Sequence, residues 1–239
     1  MLRGIYTSAS SMLPAMTHLE VVANNLANLN TVGFKKDGVF LRMVLTAEQA
    51  LGPEGEVSEA SMVLTDYSEG TLTETGRPFD LALRGDGFFT VEAPEGLRYT
   101  RAGNFTLSPE GVLVTSDGYP VLGENGPLVI EGTQVSIGED GEVSVDGEVV
   151  NRLLITDFAK PYALRKVGHG LFAPRSEDVV GTVAEHAVVR QGFLEGSNVQ
   201  AMEEMVRMIA LHRQFELDQR AVQVQDETLN KVVNDAGRV

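Results

Sequence analysis

The chain has 239 residues, of which 43% are hydrophobic, and its formal net charge at pH 7 is −15. This excess of negative charge argues against general binding to nucleic acid or to an anionic membrane surface, because both are themselves polyanionic. Cysteine is absent, which excludes disulfides, thiolate nucleophiles and cysteine-ligated metal centres. Polar residues interrupt the apolar stretch near the N-terminus, and no apolar run approaches about 18 residues, so we expect neither a cleaved signal peptide nor a membrane-spanning helix.

Residues 1–40 are predicted to form an N-terminal assembly helix followed by a turn. Pro14 conflicts with a continuous helix, so either the helix kinks there or a second helix begins at Pro14. The helix is expected to end in the Asn-rich stretch before Gly33. Its apolar residues alternate in steps of three and four, as in a coiled-coil seam: Leu2, Ile5, Ala9, Met12, Met16, Leu19, Ala23 and Leu26.

Residues 41–75 are interpreted as an acidic linker or arm, because they contain seven acidic residues and one basic residue. The stretch LGPEGEVSEAS within them has the composition of a linker. A solvated loop is the simpler interpretation, and an extended arm that orders on assembly is the alternative.

Residues 76–194 are predicted to form a central β domain. Short apolar runs are separated by acidic-Gly pairs, and such a pair between alternating hydrophobic residues is a strong hairpin signal. No helical pattern of useful length lies between the runs, which favours an antiparallel sheet over β-α-β units. The predicted turns are Glu95-Gly96, Glu110-Gly111, Asp117-Gly118, Asp140-Gly141 and Asp146-Gly147.

Residues 195–239 are predicted to form a C-terminal assembly helix, running from about 198 to 234 and spanning roughly 55 Å. Gly196, Ser197 and Asn198 offer N-caps. One apolar face contains Val199, Met202, Met205, Val206 and Ile209, and a track with a spacing of seven contains Met208, Phe215, Val222 and Leu229.

The two apolar seams lie at opposite ends of the sequence, on either side of a domain with its own core. If they paired only with each other, they would form a thin two-stranded rod and cover one seam of each helix. Contacts with other copies would cover more apolar surface, and heterologous contacts of this kind produce an open helical assembly. The layout therefore predicts a protein that polymerises through its two ends and displays a β domain outward.

Motifs that carry chemistry are weak in this sequence. The four histidines lack metal-ligand spacing. Residues 168–173 match GxGxxA, but no helix follows, so a loop between strands is expected rather than a phosphate site. The acidic residues of 139–148 lack the spacing of a calcium loop and are interpreted as hairpin turns. Asp80 and Asp86 flank a Gly turn without fixing a catalytic geometry, and we predict no catalytic, cofactor-binding or metal-binding residues.

Three parts of the chain carry a more specific pattern. The first is VVANNLANLNTVGFKK, at 21–36, which resembles the N-terminal signature of bacterial flagellar rod and hook proteins. Their central β domain is matched by RPFDLALRGDGFFTV, at 77–91, and by YTRAGNFTLSPEGVLVTSDGYPVLG, at 99–123. Their C-terminal helix is matched by residues 194–233. The matches follow the order of the family and span nearly the whole chain.

The resemblance implies a non-enzymatic axial protein of the flagellar basal body, located in the periplasmic rod. In that family the termini pair as coiled coils in the innermost layer of a tube, and the β domain forms the next layer outward. The implied partners are copies of the chain, other rod and hook proteins, and the flagellar type III export apparatus, which passes subunits without a cleaved signal. No cofactor, nucleic acid or membrane insertion is expected.

The resemblance also indicates assembly residues and a position along the rod. At 37–53 the chain contains DGVFLRMVLTAEQALGP, where the distal rod protein carries an aromatic, leucine-rich stretch, and this difference favours the proximal paralogue. The distal rod protein is the alternative. The predicted assembly residues are Leu19, Asn24, Asn25, Leu26, Asn28, Gly33, Phe34, Ser197, Asn198, Val199, Met205, Ile209, Phe215, Val222 and Leu229.

Two other functional classes remain as rival interpretations. One is a secreted β-domain binding module with helical stalks, which an aromatic platform would support, although the chain has no Trp and only five Tyr. The other is a hydrolase that uses acidic pairs in the β domain, which would require converging carboxylates in a pocket.

Overall fold

The structure is a computed structural model that describes residues 2–44, 58–184 and 186–236. In this part of the chain two helices flank a long series of short strands, which confirms the predicted fold class of antiparallel β structure with terminal helices. The chain divides into two compact units. The helical unit comprises 1–29, 36–67 and 199–239, and the β unit comprises 30–35 and 68–198.

The helices are α1 (Leu2–Ala27) and α2 (Ala201–Ala236). The strands of the helical unit are β1 (Asp37–Val44) and β2 (Ser58–Thr65). The strands of the β unit are β3 (Leu72–Glu74), β4 (Leu81–Arg84), β5 (Phe88–Ala93), β6 (Gly96–Thr100), β7 (Thr106–Leu107), β8 (Leu113–Val114), β9 (Leu122–Gly123), β10 (Gly126–Pro127), β11 (Val135–Ile137), β12 (Glu142–Val145), β13 (Glu148–Arg152), β14 (Ile155–Asp157), β15 (Leu164–Gly168), β16 (Leu171–Pro174), β17 (Thr182–Val183), β18 (Val188–Gln191) and β19 (Phe193–Glu195).

In the helical unit, α1 packs against α2 and against the β1–β2 hairpin. Pro14 lies inside α1, so the alternative in which a second helix begins at Pro14 is wrong, while a kink at Pro14 stays a prediction. A proline removes one backbone donor and crowds the preceding turn. Packing of a helix against its neighbours supplies most of its stability in a protein and offsets such a local cost.

The region interpreted as an acidic linker contains regular structure. Strands β1 and β2 pair antiparallel along their full length, from Asp37 opposite Thr65 to Val44 opposite Ser58. The solvated-loop interpretation missed β2 because it was based on the acidic composition. The hydrogen bonds between paired strands join backbone groups and do not depend on side-chain charge. The remaining part of the region, at 45–57, lies outside the described residues.

In the β unit a six-stranded sheet has the order β15-β16-β6-β5-β14-β17, and a three-stranded sheet has the order β11-β12-β13. Shorter pairs join β3 to β19, β4 to β18, β7 to β8 and β9 to β10, and all these pairings are antiparallel. The core includes Leu81, Phe89, Phe105, Leu113, Val121 and Ile155. Because β3 and β4 pair with β19 and β18, strands from both ends of the unit close the same fold.

The hairpin predictions are confirmed where they can be compared with backbone conformation. Asp146 and Gly147 form the two-residue turn between β12 and β13, with φ values of 51° and 92°. A turn with positive φ at both central positions follows the twist of the strands and favours Asp-Gly. In the stretch 168–173, residues 169 and 170 form the turn between β15 and β16, and the other four belong to those strands, so the expected loop is shorter than the stretch.

Candidate assembly interface

One face of α2 is covered within the helical unit. Its half-buried or buried positions repeat in steps of three and four, and α1 is the element that packs against it. Three residues of the predicted heptad track, Met208, Phe215 and Val222, lie on this face. Leu229, the next in the track, lies in α2, but its side chain is outside the described residues. The track is therefore an intrachain seam along its described part.

Over residues 202–209 the opposite face of α2 is apolar and exposed. A helix turns about 100° per residue, which places Met202, Val206 and Ile209 on the far side from the covered seam. Val206 is 68% exposed and Ile209 is 55% exposed, and Met205 at the edge of the same face is also exposed. We call Met202, Met205, Val206 and Ile209 the outer stripe. The sequence grouped these four residues on one face with Val199; the structure buries Val199 and leaves the other four exposed.

The buried face of α1 differs from the predicted seam by about one residue. Ala15 and Val22 are buried, whereas Met16 and Ala23 of the predicted seam are exposed. Leu19 lies between the two positions and is half-buried. The prediction counted apolar residues only, and the buried face is completed by the side chain of an asparagine, which a hydrophobic pattern cannot include.

Asn25 is that side chain, and it is fully buried. Its Nδ2 donates to the backbone oxygen of Asp37 at 2.8 Å, and its Oδ1 accepts from the Asp37 backbone N–H at 2.9 Å. Nδ2 also lies 3.5 Å from Oε2 of Glu204, a buried residue of α2. One side chain thus joins α1 to the start of β1 and to α2.

The other asparagines of the motif end α1, as the sequence predicted. The backbone N–H of Asn28 donates to the carbonyl of Asn24 at 3.1 Å, and its side-chain Nδ2 donates to the same oxygen at 2.9 Å. The Leu26 carbonyl accepts from Leu29 N–H in the next turn. The Asn28 side chain thus supplies a second donor to a carbonyl in the last turn of α1.

Gly33 and Phe34 lie in the β-unit segment 30–35. Gly33 has a φ of 67°, and a Cβ at this position would overlap the backbone of Ala102 and Arg101. Both its conformation and its surroundings therefore require glycine. Phe34 is half-buried, and Nζ of Lys166 lies 4.2 Å from the centre of its ring.

A buried ion cluster follows in the same unit. Lys35 is 1% exposed and Glu195 is completely buried, and Lys35 Nζ donates to Glu195 Oε1 at 2.5 Å. Arg101 is also buried, and its Nη1 lies 3.4 Å from the second oxygen, Oε2. Burial lowers the pKa of Lys35, and the neighbouring Glu195 carboxylate opposes that effect. Removing the Glu195 carboxylate would leave the Lys35 and Arg101 cations in a low-dielectric interior without this anion.

The residues predicted to cap α2 lie before the observed helix. The helix begins at Ala201, and Asn198 Nδ2 donates to the carbonyl and hydroxyl oxygens of Ser68 at 3.2 and 3.1 Å. Ser197 is half-buried, and Val199, the first residue of segment 199–239 of the helical unit, is buried. Capping by Ser197 and Asn198 stays a prediction.

A second polar cluster lies at the surface of the β unit. The hydroxyl of Tyr162 is 3.1 Å from both Asp86 Oδ1 and Asp157 Oδ1, and Lys160 Nζ is 2.7 Å from Asp86. Burial raises the pKa of Tyr162, and the hydrogen bond to Asp157 adds to the effect. The Lys160 contact holds the pKa of Asp86 below its usual range. These groups satisfy one another's charge and hydrogen bonds.

The acidic turns at 139–148 bind backbone donors. Asp140 accepts from the Glu142 N–H and pairs with Arg152 at 3.0 Å, while Asp146 accepts from the Gln134 N–H. These backbone bonds lower the pKa of both aspartates. The hairpin interpretation is confirmed by these contacts.

Sequence reasoning missed the residues that make the buried polar contacts. Lys35 and Glu195 lie within matched stretches, yet they received no role because lone charged residues are usually solvated. Arg101 and Glu204 were missed for the same reason. Of these four residues, only Glu195 lies at a boundary between predicted segments, the one between 194 and 195.

The described residues contain neither a candidate metal site nor a helix suited to span a membrane. In that part of the chain no group of three or more His, Asp or Glu side chains is arranged to hold a metal ion. Neither α1 nor α2, as described, is long and apolar enough to cross a membrane.

Comparison with known proteins places the chain in a family. Residues 5–35 match the model "Flagella basal body rod protein". Residues 82–145 match "Flagellar hook protein FlgE/F/G D1 domain", and residues 190–235 match "Flagellar basal body rod FlgEFG protein C-terminal". The three matches cover α1 with its motif, much of the β unit, and α2.

Full-length relatives agree with these matches. The chain is 34% identical to flagellar basal-body rod protein FlgG of Bacillus subtilis, over 98% of this chain and 99% of that protein. It is 33% identical to FlgG of Agrobacterium fabrum, over 95% and 96%. It is 32% identical to flagellar basal-body rod protein FlgF of Caulobacter vibrioides, over 98% of each. The chain therefore belongs to the flagellar basal-body rod protein family, whose members are structural proteins and not enzymes.

Proposed function

We propose that this chain is a structural subunit of the flagellar basal-body rod and polymerises through its terminal helices. One observation supports this proposal beyond family membership: near its start α2 has two apolar faces, and among the described residues only one of them is buried. The outer stripe remains exposed although it contains four large hydrophobic residues.

An exposed apolar stripe on a helix is a common mark of a protein–protein interface. Methionine makes such a surface adaptable, because its unbranched side chain fits partners in slightly different positions. Met202 and Met205 thus suit contacts between subunits in a helical assembly, where neighbouring environments are similar without being identical. The partner on this stripe is another copy of the chain or another rod subunit.

The remaining parts of the proposal follow from the family resemblance. The terminal helices pair as coiled coils in the inner layer of the rod, and the β unit lies outside them. Subunits reach the periplasmic rod through the flagellar type III export apparatus, without a cleaved signal peptide. The chain does not insert into the membrane and binds no nucleic acid.

We place the subunit in the proximal rod, with the distal rod as the alternative. The relatives carry both the FlgG and the FlgF name at similar identity, so they do not separate the two positions. The argument for the proximal position is the stretch at 37–53, which lacks the aromatic, leucine-rich character of the distal protein.

The test places a charge on the outer stripe without disturbing the intrachain seam. We expect Val206→Asp and Ile209→Asp to leave both units folded and to prevent incorporation into basal bodies, with loss of swimming. Val149→Asp is the matched control, because Val149 is 62% exposed on β13 and lies outside the stripe. Normal incorporation of Val206→Asp or Ile209→Asp would contradict the proposal.

A further inference from the structure

Three segments of the β unit adjoin the places where the chain passes between the two units. These segments are 30–35, 68–71 and 195–198, and each is followed or preceded directly by residues of the helical unit. They are far apart in sequence. In the β unit they meet at Glu195.

Backbone bonds join the third segment, 195–198, to each of the other two. The Gly33 N–H donates to the Glu195 carbonyl at 2.7 Å, which links the first segment to the third. The Asn198 N–H donates to the Phe34 carbonyl at 3.3 Å and adds a second link. The Gly196 N–H donates to the Thr71 carbonyl at 2.9 Å and links the third segment to the second.

The Lys35 ammonium and the Glu195 carboxylate connect all three segments at once. Lys35 Nζ donates to Glu195 Oε1 and, at 2.7 Å, to the Ser68 carbonyl. Glu195 Oε1 also accepts from the Gly70 N–H at 3.0 Å. Because both side chains are buried, water competes little for these bonds, and charge-assisted bonds are stronger than neutral ones.

Lys35 and Glu195 are not among the residues of the hydrophobic core. Arg101 occupies the other carboxylate oxygen of Glu195 and also donates from Nη2 to the Gly85 carbonyl at 2.6 Å. Without the Lys35 ammonium, Glu195 would still have Arg101 and the Gly70 N–H. The Lys35 ammonium adds a bond from segment 30–35 to Ser68 in the second segment, and it reinforces the backbone bonds to the third segment.

We infer that Lys35 is a positioning residue. Through Glu195 it holds the three crossing segments together, so that the chain leaves the β unit at fixed points. Its role is separable from folding of the β core. The consequence for assembly rests on the proposed function, since only a rod subunit must deliver its terminal helices to defined neighbours.

The first test is hydrogen exchange of the full chain carrying Lys35→Met, which keeps the length of the buried stem and removes the charge. Exchange is expected to become about tenfold faster or more at the Gly33, Gly70, Gly196 and Asn198 amides, and to stay unchanged at core amides such as Leu113. Lys36→Met is the matched control, because Lys36 is partly exposed and its pair with Asp66 is longer, at 3.5 Å. Unchanged exchange at the crossing amides would overturn the inference, and so would an equal acceleration at core amides.

The second test is recovery of each variant in basal bodies at equal cellular levels. Lys35→Met is expected to be recovered several-fold less than Lys36→Met, although its β core is intact. If Lys35→Met is recovered as well as wild type, the inference fails and the proposed function stands. If the wild-type chain itself is absent from basal bodies, the proposed function fails, and the exchange test still decides whether Lys35 holds the segments.

Discussion

Replacing Asn25 with alanine is expected to weaken the helical unit, because this buried amide joins three of its elements. The two bonds to the Asp37 backbone, at 2.8 and 2.9 Å, contribute about 1 kcal/mol each. The longer contact with the Glu204 carboxylate adds less. Alanine has the better helix propensity, which offsets roughly 0.5 kcal/mol of the loss in free energy of unfolding. The net loss in free energy of unfolding is therefore about 2 kcal/mol.

Asn24→Ala is the matched control for Asn25→Ala, since the neighbouring asparagine is exposed and its carbonyl bond to Asn28 does not depend on its side chain. Its unfolding free energy should change by less than about 0.5 kcal/mol. Native-state hydrogen exchange at the Asp37 amide and along α1 measures both variants. Equal stability of the two variants would refute the assignment of Asn25 as the residue that ties α1 to β1 and α2.

Three further predictions concern Gly33, Tyr162 and Phe215. Gly33→Ala should lower the denaturant midpoint of the β unit well beyond Gly118→Ala, which has a similar positive φ but open space around it. Equal midpoints would contradict the overlap argument. Tyr162→Phe should lose less stability than the wild type as the pH rises above 10. The reason is that the pKa of Tyr162 is raised in the folded state, so only the unfolded phenol ionises there. Melting temperatures measured from pH 8 to 11 test this, and identical pH profiles of the two proteins would refute it. Phe215→Asp should lower the unfolding midpoint followed by circular dichroism at 222 nm, whereas Ile209→Asp should not; equal midpoints would contradict the two-face description of α2.

Local signals in the sequence were sufficient for the main elements. The Asp146-Gly147 turn needs only two residues to specify its conformation, and the terminal helices follow from apolar spacing. Strand β2 was not predicted, because the acidic composition of 41–75 indicated a linker. Its pairing partner, β1, was not predicted as a strand either. Pairing between distant backbone segments is not encoded in a single local stretch.

The polar contacts could not be predicted because they join residues far apart in the sequence. Lys35 and Glu195 are separated by 160 residues, and nothing in either local sequence indicates the other. Asn25 was correctly associated with the motif, but its role was assigned to the helix end. The structure shows that Asn28 serves the helix end, while Asn25 binds Asp37 and approaches Glu204.

The absence of cysteine allows a direct measurement of whether the outer stripe is covered in the rod. A single Ile209→Cys substitution introduces a unique thiol, and Val149→Cys on the β unit serves as the control. Maleimide labelling of the monomer and of isolated basal bodies would be compared at each position. Our account predicts that the thiol at position 209 reacts in the monomer and is protected in basal bodies. Equal labelling of that thiol in both states would contradict the claim that subunits assemble through the outer stripe of α2.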